Sequence, residues 1–427
     1  MSFNTISVIG LGYIGLPTAA MFASQKRKVI GVDVNESTVN TINRGEIHIV
    51  EPELDMIVHA AVTEGYLKAV TTPEAADAFL IAVPTPFKEG TSVSNEQGIP
   101  EPDLTYVENA CKAISPVLKK GDLVILESTS PVGATEKMAR WLGEARPDLS
   151  FPNGSSATQV DVNIAYCPER VLPGRVVHEL VENDRVIGGI TKECSARAVE
   201  LYKTFVVGDC VVTNARTAEM TKLTENSCRD VQIAFANELS VICDKLDINV
   251  WELISLANRH PRINILNPGP GVGGHCIAVD PWFIVSKTPQ EAALIHTARK
   301  VNSSKPDWVI EKVKIALADF LQVNPTKTAK DINIVCYGLA FKADIDDLRE
   351  SPAMAIASEL ANIHSGNTFA VEPNVTSLAH QELKLISMKD AEQSVDIALL
   401  LVDHKQFKDI KPNLDAQFII DTRGIWT

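Results

Sequence analysis

A chain of 427 residues exceeds one ordinary hydrophobic core, so two or three domains are expected. Its 45% hydrophobic and 22% charged content is that of a globular protein, and a net charge of −14 argues against a nucleic-acid or anionic-membrane partner, since either needs a basic face. The longest apolar runs, such as IALLLV at 397–402, fall far short of the roughly 20 residues of a spanning helix. The 8 cysteines are scattered without CxxC pairs, which fits a reducing compartment and disfavours a bound structural metal. The N-terminus enters a strand-like run with no room for a charged and apolar leader, so a cytoplasmic protein is expected.

Residues 5–15, TISVIGLGYIG, run from a β-branched strand into G-x-G-x-x-G at Gly10, Gly12 and Gly15, and an apolar helix follows. A second strand, KVIGVD, ends in Asp33. This is the order a dinucleotide site requires: Gly10 for the tight turn, Gly12 for close approach of the pyrophosphate, Gly15 for helix packing, and Asp33 for the adenosine ribose. No Arg or Lys follows Asp33 directly, which favours NAD over NADP. Strands at 78–86 and 122–133 end at Thr85 and Thr129, which either contact the cofactor or close turns. Segments 88–103 and 147–161, rich in Gly, Ser, Asn and Pro, read as surface loops. A further strand, VNIAYCPERV, places Glu169 and Arg170 past its end, as ligand contacts or as a surface salt bridge.

From about Thr213 to Leu246 there is neither Pro nor Gly, which predicts one long helix. Glu219, Lys222, Asn226 and Arg229 share one face of it; a solvated stripe is possible, and a stripe facing the active cleft is favoured. The motif NRHPRIN at 258–264 then supplies His260 and Arg262. Next comes GPGVGGHCIAVDPW at 269–282, where Cys276 follows two glycines and His275, with Asp280 four residues later. A lone cysteine in a glycine turn is ordinarily a small buried hydrophobe, but a thiol offered beside a proton carrier is the arrangement of a covalent nucleophile. The last third begins with the strand DINIVCYGLAFK, followed by a helix at Ser351-Pro352 and strands at NTFAVEP, VDIALLLVD and QFIIDTRGIW. Its turn is not G-x-G-x-x-G, so a second parallel sheet is expected without a second dinucleotide, with Lys342, Arg349 and Arg423 forming a basic mouth. The fold class is α/β: two Rossmann-like doubly wound parallel-sheet domains joined by a long central helix. The expected boundaries are 1–212, 213–303 and 304–427.

The motifs GLGYIG, ESTSPVG, YCPER, AEMTKLTEN, GVGGHC and GLAFK with DDLRESP span essentially the whole chain. On them the sequence resembles the UDP-glucose/UDP-N-acetylhexosamine dehydrogenase family. The resemblance implies a four-electron oxidation of a nucleotide sugar C6 alcohol to a carboxylate with two NAD in succession. It implies that Cys276 forms a thiohemiacetal and then a thioester, that Lys222 carries protons and steadies oxyanion charge, that Asp280 and Asn226 order water or substrate, and that Glu169 assists hydrolysis. Gly10, Gly12, Tyr13, Ile14, Gly15, Asp33, Thr85, Thr129 and Arg349 would hold NAD. Arg170, Val171, Lys222, Asn226, Arg229, His260, Arg262, Gly273, Phe341, Lys342 and Arg423 would hold the UDP-sugar. Family members pair as homodimers through the central helix, with Arg262 entering the neighbouring site. The UDP-glucose branch reads GGxCxxKD, whereas Val279 precedes Asp280 here, which resembles the branch that oxidises UDP-N-acetylhexosamines. A two-electron hydroxyacid dehydrogenase and a non-catalytic NAD sensor are the competing readings, and neither has a use for the thiol.

Overall fold

The computed structural model describes residues 3–49, 51–88, 90, 99–155, 157, 159–172, 174–274, 276–378, 383–410, 416 and 418–426. The chain forms two compact units, Met1–Glu225 with Trp282–Thr288, and Asn226–Pro281 with Pro289–Thr427.

The first unit holds an eight-stranded sheet. Its strands in chain order are β1 (Thr5–Ile9), β2 (Lys28–Val32), β3 (Leu67–Val70), β4 (Ala78–Ile81), β5 (Leu123–Leu126), β6 (Asn163–Tyr166), β7 (Arg185–Gly189) and β8 (Cys210–Asn214). Their spatial order is β3-β2-β1-β4-β5-β6-β7-β8, so the winding reverses between β1 and β4. A doubly wound sheet opens its ligand crevice at that reversal. Both faces are covered, and the apolar residues divide between them with period two: Leu80, Leu123 and Ile125 join one core, Ile81, Val124 and Leu126 the other.

One part of this sheet departs from the all-parallel expectation. β7 pairs antiparallel with β6, Tyr166 opposite Gly188, so β7 and β8 run against the other six strands. An antiparallel neighbour re-enters at the edge where the previous strand left, so the connection needs no traverse of the sheet. Among the described residues the one helix of that connection, Val176–Glu182, is correspondingly short.

The second unit repeats the plan with β9 (Asn333–Tyr337), β10 (Asn367–Val371), β11 (Lys384–Leu385), β12 (Ile397–Leu400) and β13 (Phe418–Asp421), all parallel, in the order β11-β10-β9-β12-β13. The first turns of the two sheets share a glycine conformation and an amide-to-carboxylate bond. Gly10 (φ 91°) and Gly338 (φ 89°) both turn in the left-handed region. Leu11 N donates to Asp33 Oδ2 at 2.9 Å, and Leu339 N donates to Glu372 Oε2 at 2.7 Å. They differ in what else the acid meets. Glu372 is buried and also bonds His404 Nε2 at 3.1 Å; because His404 Nδ1 accepts from Asp344 N, Nε2 is the donor.

The predicted central helix runs Ala215–Lys245, beginning in the first unit and continuing in the second. A second helix of the same length, Ala293–Val323, was not legible in the sequence. Its buried stripe changes character along its length. Arg299, Asn302 and Lys305 lie in the N-terminal half, and Val309, Val313, Ala316 and Phe320 lie in the C-terminal half, packed with Ile332, Ile334 and Ile356. No described helix is long and apolar enough to cross a membrane.

Candidate active site

At the first glycine turn, a Cβ on Gly15 would sit 1.8 Å from the Gly10 carbonyl oxygen, so only hydrogen fits there. A Cβ on Gly12 would meet nothing within 4 Å, leaving its face open to a ligand. The helix Gly15–Ser24 starts at Ile14 with no side-chain cap and no acid in its first turn. No side-chain acceptor or carboxylate occupies this helix start, which fits the pyrophosphate of a dinucleotide. Tyr13 is exposed and Asp33 half-buried, the latter bonded by the amides of Leu11 and Asn35. Thr85 and Thr129 are brought together: Thr85 Oγ1 donates to the Thr129 carbonyl at 2.7 Å, closing the ends of β4 and β5.

Past β6, Glu169 is buried; its Oε1 accepts from Val171 N, and its Oε2 lies 3.8 Å from Lys222 Nζ, also buried. Arg170 makes the salt bridge that its position allowed. Its guanidinium forks onto Glu225 at 2.6 and 3.2 Å and reaches the Asp184 carbonyl at 3.0 Å. Glu219 does not serve a cleft. It is fully buried and accepts from Gly133 N (2.6 Å), Thr135 N (2.8 Å) and Thr135 Oγ1 (2.6 Å), capping the helix Ala134–Ala145, whose own Gly133 has no side chain to do so. Burial pushes its carboxyl up, while those bonds oppose the shift. An open cavity of about 320 Å³ in this unit, bordered by Lys88, Glu101, Pro131, Lys137 and Lys287, holds none of the expected cofactor residues.

In the second unit, the thiol of Cys276 is exposed. The Cys276 carbonyl accepts from Val279 N (3.1 Å) and Asp280 N (2.8 Å), so the thiol stands on a turn that opens the helix Asp280–Lys287. Asp280 is buried, and Asn226 Nδ2 donates to its Oδ2 at 2.5 Å. The glycines press the loop onto the expected substrate segment: a Cβ on Gly273 would lie 2.5 Å from Glu350 O and 2.9 Å from Phe341 Cβ. At the foot of the loop Arg423 pairs with Asp403 at 2.8 Å and reaches the Pro268 carbonyl at 3.4 Å. Arg349 is forked onto Asp347 at 2.6 and 2.8 Å, so carboxylates offset two cations of the expected basic mouth. Lys342, Arg229, His260 and Arg262 are exposed, and His275 lies outside the described residues.

Sequence reasoning passed over a buried polar cluster on the two long helices, Asp230, Asn237, Arg299 and Asn302. Its signal was available: Asp230 and Asn237 are seven apart, Arg299 and Asn302 three apart, each pair on one face of its helix.

Residues 4–206 match the NAD binding domain of the UDP-glucose/GDP-mannose dehydrogenase family, 216–304 its central domain and 335–427 its UDP binding domain. The chain belongs to that family. It is 66% identical over its full length, and that of the relative, to UDP-N-acetyl-D-mannosamine dehydrogenase of Yersinia pestis. It is 58% identical to NDP-N-acetyl-D-galactosaminuronic acid dehydrogenase of Ralstonia nicotianae, over 100% of this chain and 97% of the relative. Among solved structures, the UDP-D-ManNAc dehydrogenase of Pyrococcus horikoshii superposes with a TM-score of 0.85 at 37% identity, covering 99% of this chain and 96% of that one.

Proposed function

We propose that this chain is an NAD-dependent 6-dehydrogenase that converts UDP-N-acetyl-D-mannosamine to UDP-N-acetyl-D-mannosaminuronate, a four-electron oxidation feeding a surface polysaccharide of the enterobacterial common antigen type. The observation that carries the chemistry is the exposed Cys276 thiol on a glycine loop packed against Phe341 and the Glu350 backbone of the UDP-binding segment. When bound, NAD supplies the hydride acceptor for each of the two oxidations. Gly10, Gly12 and Gly15, with the uncapped helix start, and Asp33 would hold it.

The protein's part is proton handling and retention of the intermediate. Lys222, steadied by Glu169, takes the C6 hydroxyl proton and later balances oxyanion charge. Cys276 Sγ adds to the C6 aldehyde, forming an S–C bond while the carbonyl oxygen gains a proton. That adduct carries a hydroxyl on C6, and loss of its proton lets C6 release a second hydride, which a free aldehyde, having no such hydroxyl, cannot do. One water then cleaves the thioester's C–S bond, giving the carboxylate, the restored thiol and one proton passed to solvent, with Glu169 orienting the water and Asp280, held by Asn226, ordering the hydroxyl. UDP binding falls to Arg423, Lys342, Phe341 and Arg170, the last exchanging Glu225 for substrate. We further propose the domain limits 1–212, 213–303 and 304–427, a cytoplasmic location, and a homodimer. Phe235, Ile242, Leu246 and Ile248 are exposed at and just beyond the central helix, a surface suited to pairing with a second copy.

A panel of UDP-N-acetyl-D-mannosamine, -glucosamine and -galactosamine with UDP-glucose, followed by NADH absorbance, tests the assignment. Turnover of the mannosamine sugar with two NADH per sugar is expected; a ratio of one, or a preference for UDP-glucose, overturns it. Cys276→Ala should abolish uronate formation, and unchanged turnover would refute the nucleophile.

A further inference from the structure

We propose that Asn237, Asn302 and Arg299, tied together by Asp230, form a buried clamp that holds both ends of the Cys276 loop and so serves the thiol-dependent steps as positioning residues. This rests on Cys276 acting as the nucleophile.

The four side chains lie in a helix–helix seam where apolar residues would ordinarily pack, with exposures of 0% for Asp230 and Asn237, 2% for Asn302 and 4% for Arg299. Polar groups at such depth are costly unless bonded, and while Asp230 Oδ2 and Arg299 Nε find no partner among the described residues, the other polar atoms of the cluster are joined in a chain. Here the bonds run in one direction. Asp230 Oδ1 accepts from Arg299 Nη1 (2.6 Å) and from Asn302 Nδ2 (2.8 Å), which fixes the Asn302 amide with its oxygen turned away. That oxygen accepts from Asn237 Nδ2 at 2.8 Å, which fixes the second amide in turn. Asn237 Oδ1 is left facing Gly269 N at 2.9 Å. At the other end Arg299 Nη1 makes a longer contact, 3.4 Å, to the Ile277 carbonyl. Gly269 and Ile277 flank the stretch that bears Cys276, and the described residues between them are neither helix nor strand. One carboxylate thus sets the orientation of every group that grips the loop.

The first oxidation, alcohol to aldehyde, makes no demand on Sγ. Capture of the aldehyde and hydrolysis of the thioester both do. Loss of the clamp should therefore let aldehyde escape, whereas a network that merely stabilised the fold would lower both oxidations together.

The test uses the full-length enzyme with UDP-N-acetyl-D-mannosamine and NAD. Asn237→Ala and Asn302→Ala are compared with the double variant Asn237→Leu/Asn302→Leu, which refills the seam with apolar groups while leaving Gly269 N unpaired. Three quantities are read: NADH per sugar consumed, aldehyde trapped by hydroxylamine, and iodoacetamide alkylation of the Cys276 peptide. The buried Cys111, Cys167, Cys194, Cys243 and Cys336 report any general opening. Expected are a fall in NADH per sugar from two toward one, trapped aldehyde, about 10- to 100-fold slower uronate formation, and an altered Cys276 alkylation rate with the buried cysteines still protected. Wild-type kinetics, or equal loss of both oxidations at an unchanged ratio of two, overturns the clamp. Cys276→Ala run in parallel separates the two failures: if it still makes uronate, the nucleophile assignment fails; if it does not while the clamp variants behave as wild type, only the clamp fails.

Discussion

Replacing Gly273 by alanine tests how tightly the thiol loop is seated. Gly271 (φ 149°) and Gly274 (φ 81°) need backbone angles that favour glycine, but Gly273 is outside that region and needs only space. Its added methyl would lie 2.5 Å from Glu350 O, 2.7 Å from Pro352 Cδ and 2.9 Å from Phe341 Cβ. Ordinary contact begins near 3.4 Å, so against the carbonyl alone the loop is short by about 0.9 Å (3.4 − 2.5). All three neighbours are backbone or one bond from it, so none can rotate aside and the loop itself must yield. Overpacking of this kind costs about 1–3 kcal/mol. A displacement approaching 1 Å at a nucleophile costs about 100-fold in kcat. The expected result is that loss of kcat, read by NADH absorbance, with NAD affinity measured by calorimetry unchanged, because Gly12 and Asp33 belong to the other unit. Full activity in a folded variant would refute the claim that the loop is sterically fixed, and a matching loss of NAD binding would show general misfolding instead.

Lys222→Ala should lower kcat by about 10²- to 10⁴-fold with little change in NAD affinity, and equal loss of both would count against a proton-carrying role. Glu219→Ala leaves two amides and a hydroxyl unpaired in a fully buried place. It should cost about 3–5 kcal/mol in urea unfolding, and a change below about 1 kcal/mol would refute the capping account. Glu127 is fully buried, bonded by Tyr202 OH at 2.6 Å, and burial pushes its carboxyl from 4.5 to about 7 despite Arg185 nearby. The folded state then keeps a proton that the unfolded chain releases above its ordinary value. Stability from this group is therefore full at low pH and is lost as pH rises from 4.5 through about 7. Glu127→Gln should flatten that slope and gain about 3 kcal/mol at pH 8; parallel stability curves for the two proteins would refute it.

Much of the site was legible because its parts are local. The glycine turn, the Asp33 acid, the Ser351 cap and the Cys276 loop each depend on spacing within one short stretch, and each forms where the spacing predicted. The polar stripe of the central helix was legible as a stripe but not in its partners. Lys222 pairs with Glu169, Asn226 with Asp280, and Glu219 caps a helix through Thr135, 84 residues upstream.

The sequence by itself determined two nucleotide-type α/β units, the family, the cofactor and the candidate nucleophile, because those follow from short-range backbone geometry and residue chemistry. Only the tertiary structure decided the reversed β7 and β8, the second long helix, the pairing of Arg170 with Glu225, and the buried ladder from Asp230 to Gly269. Each of those is a choice of partner between residues far apart in the chain. Such a choice is settled by which polar groups lose water together, and no local pattern records it.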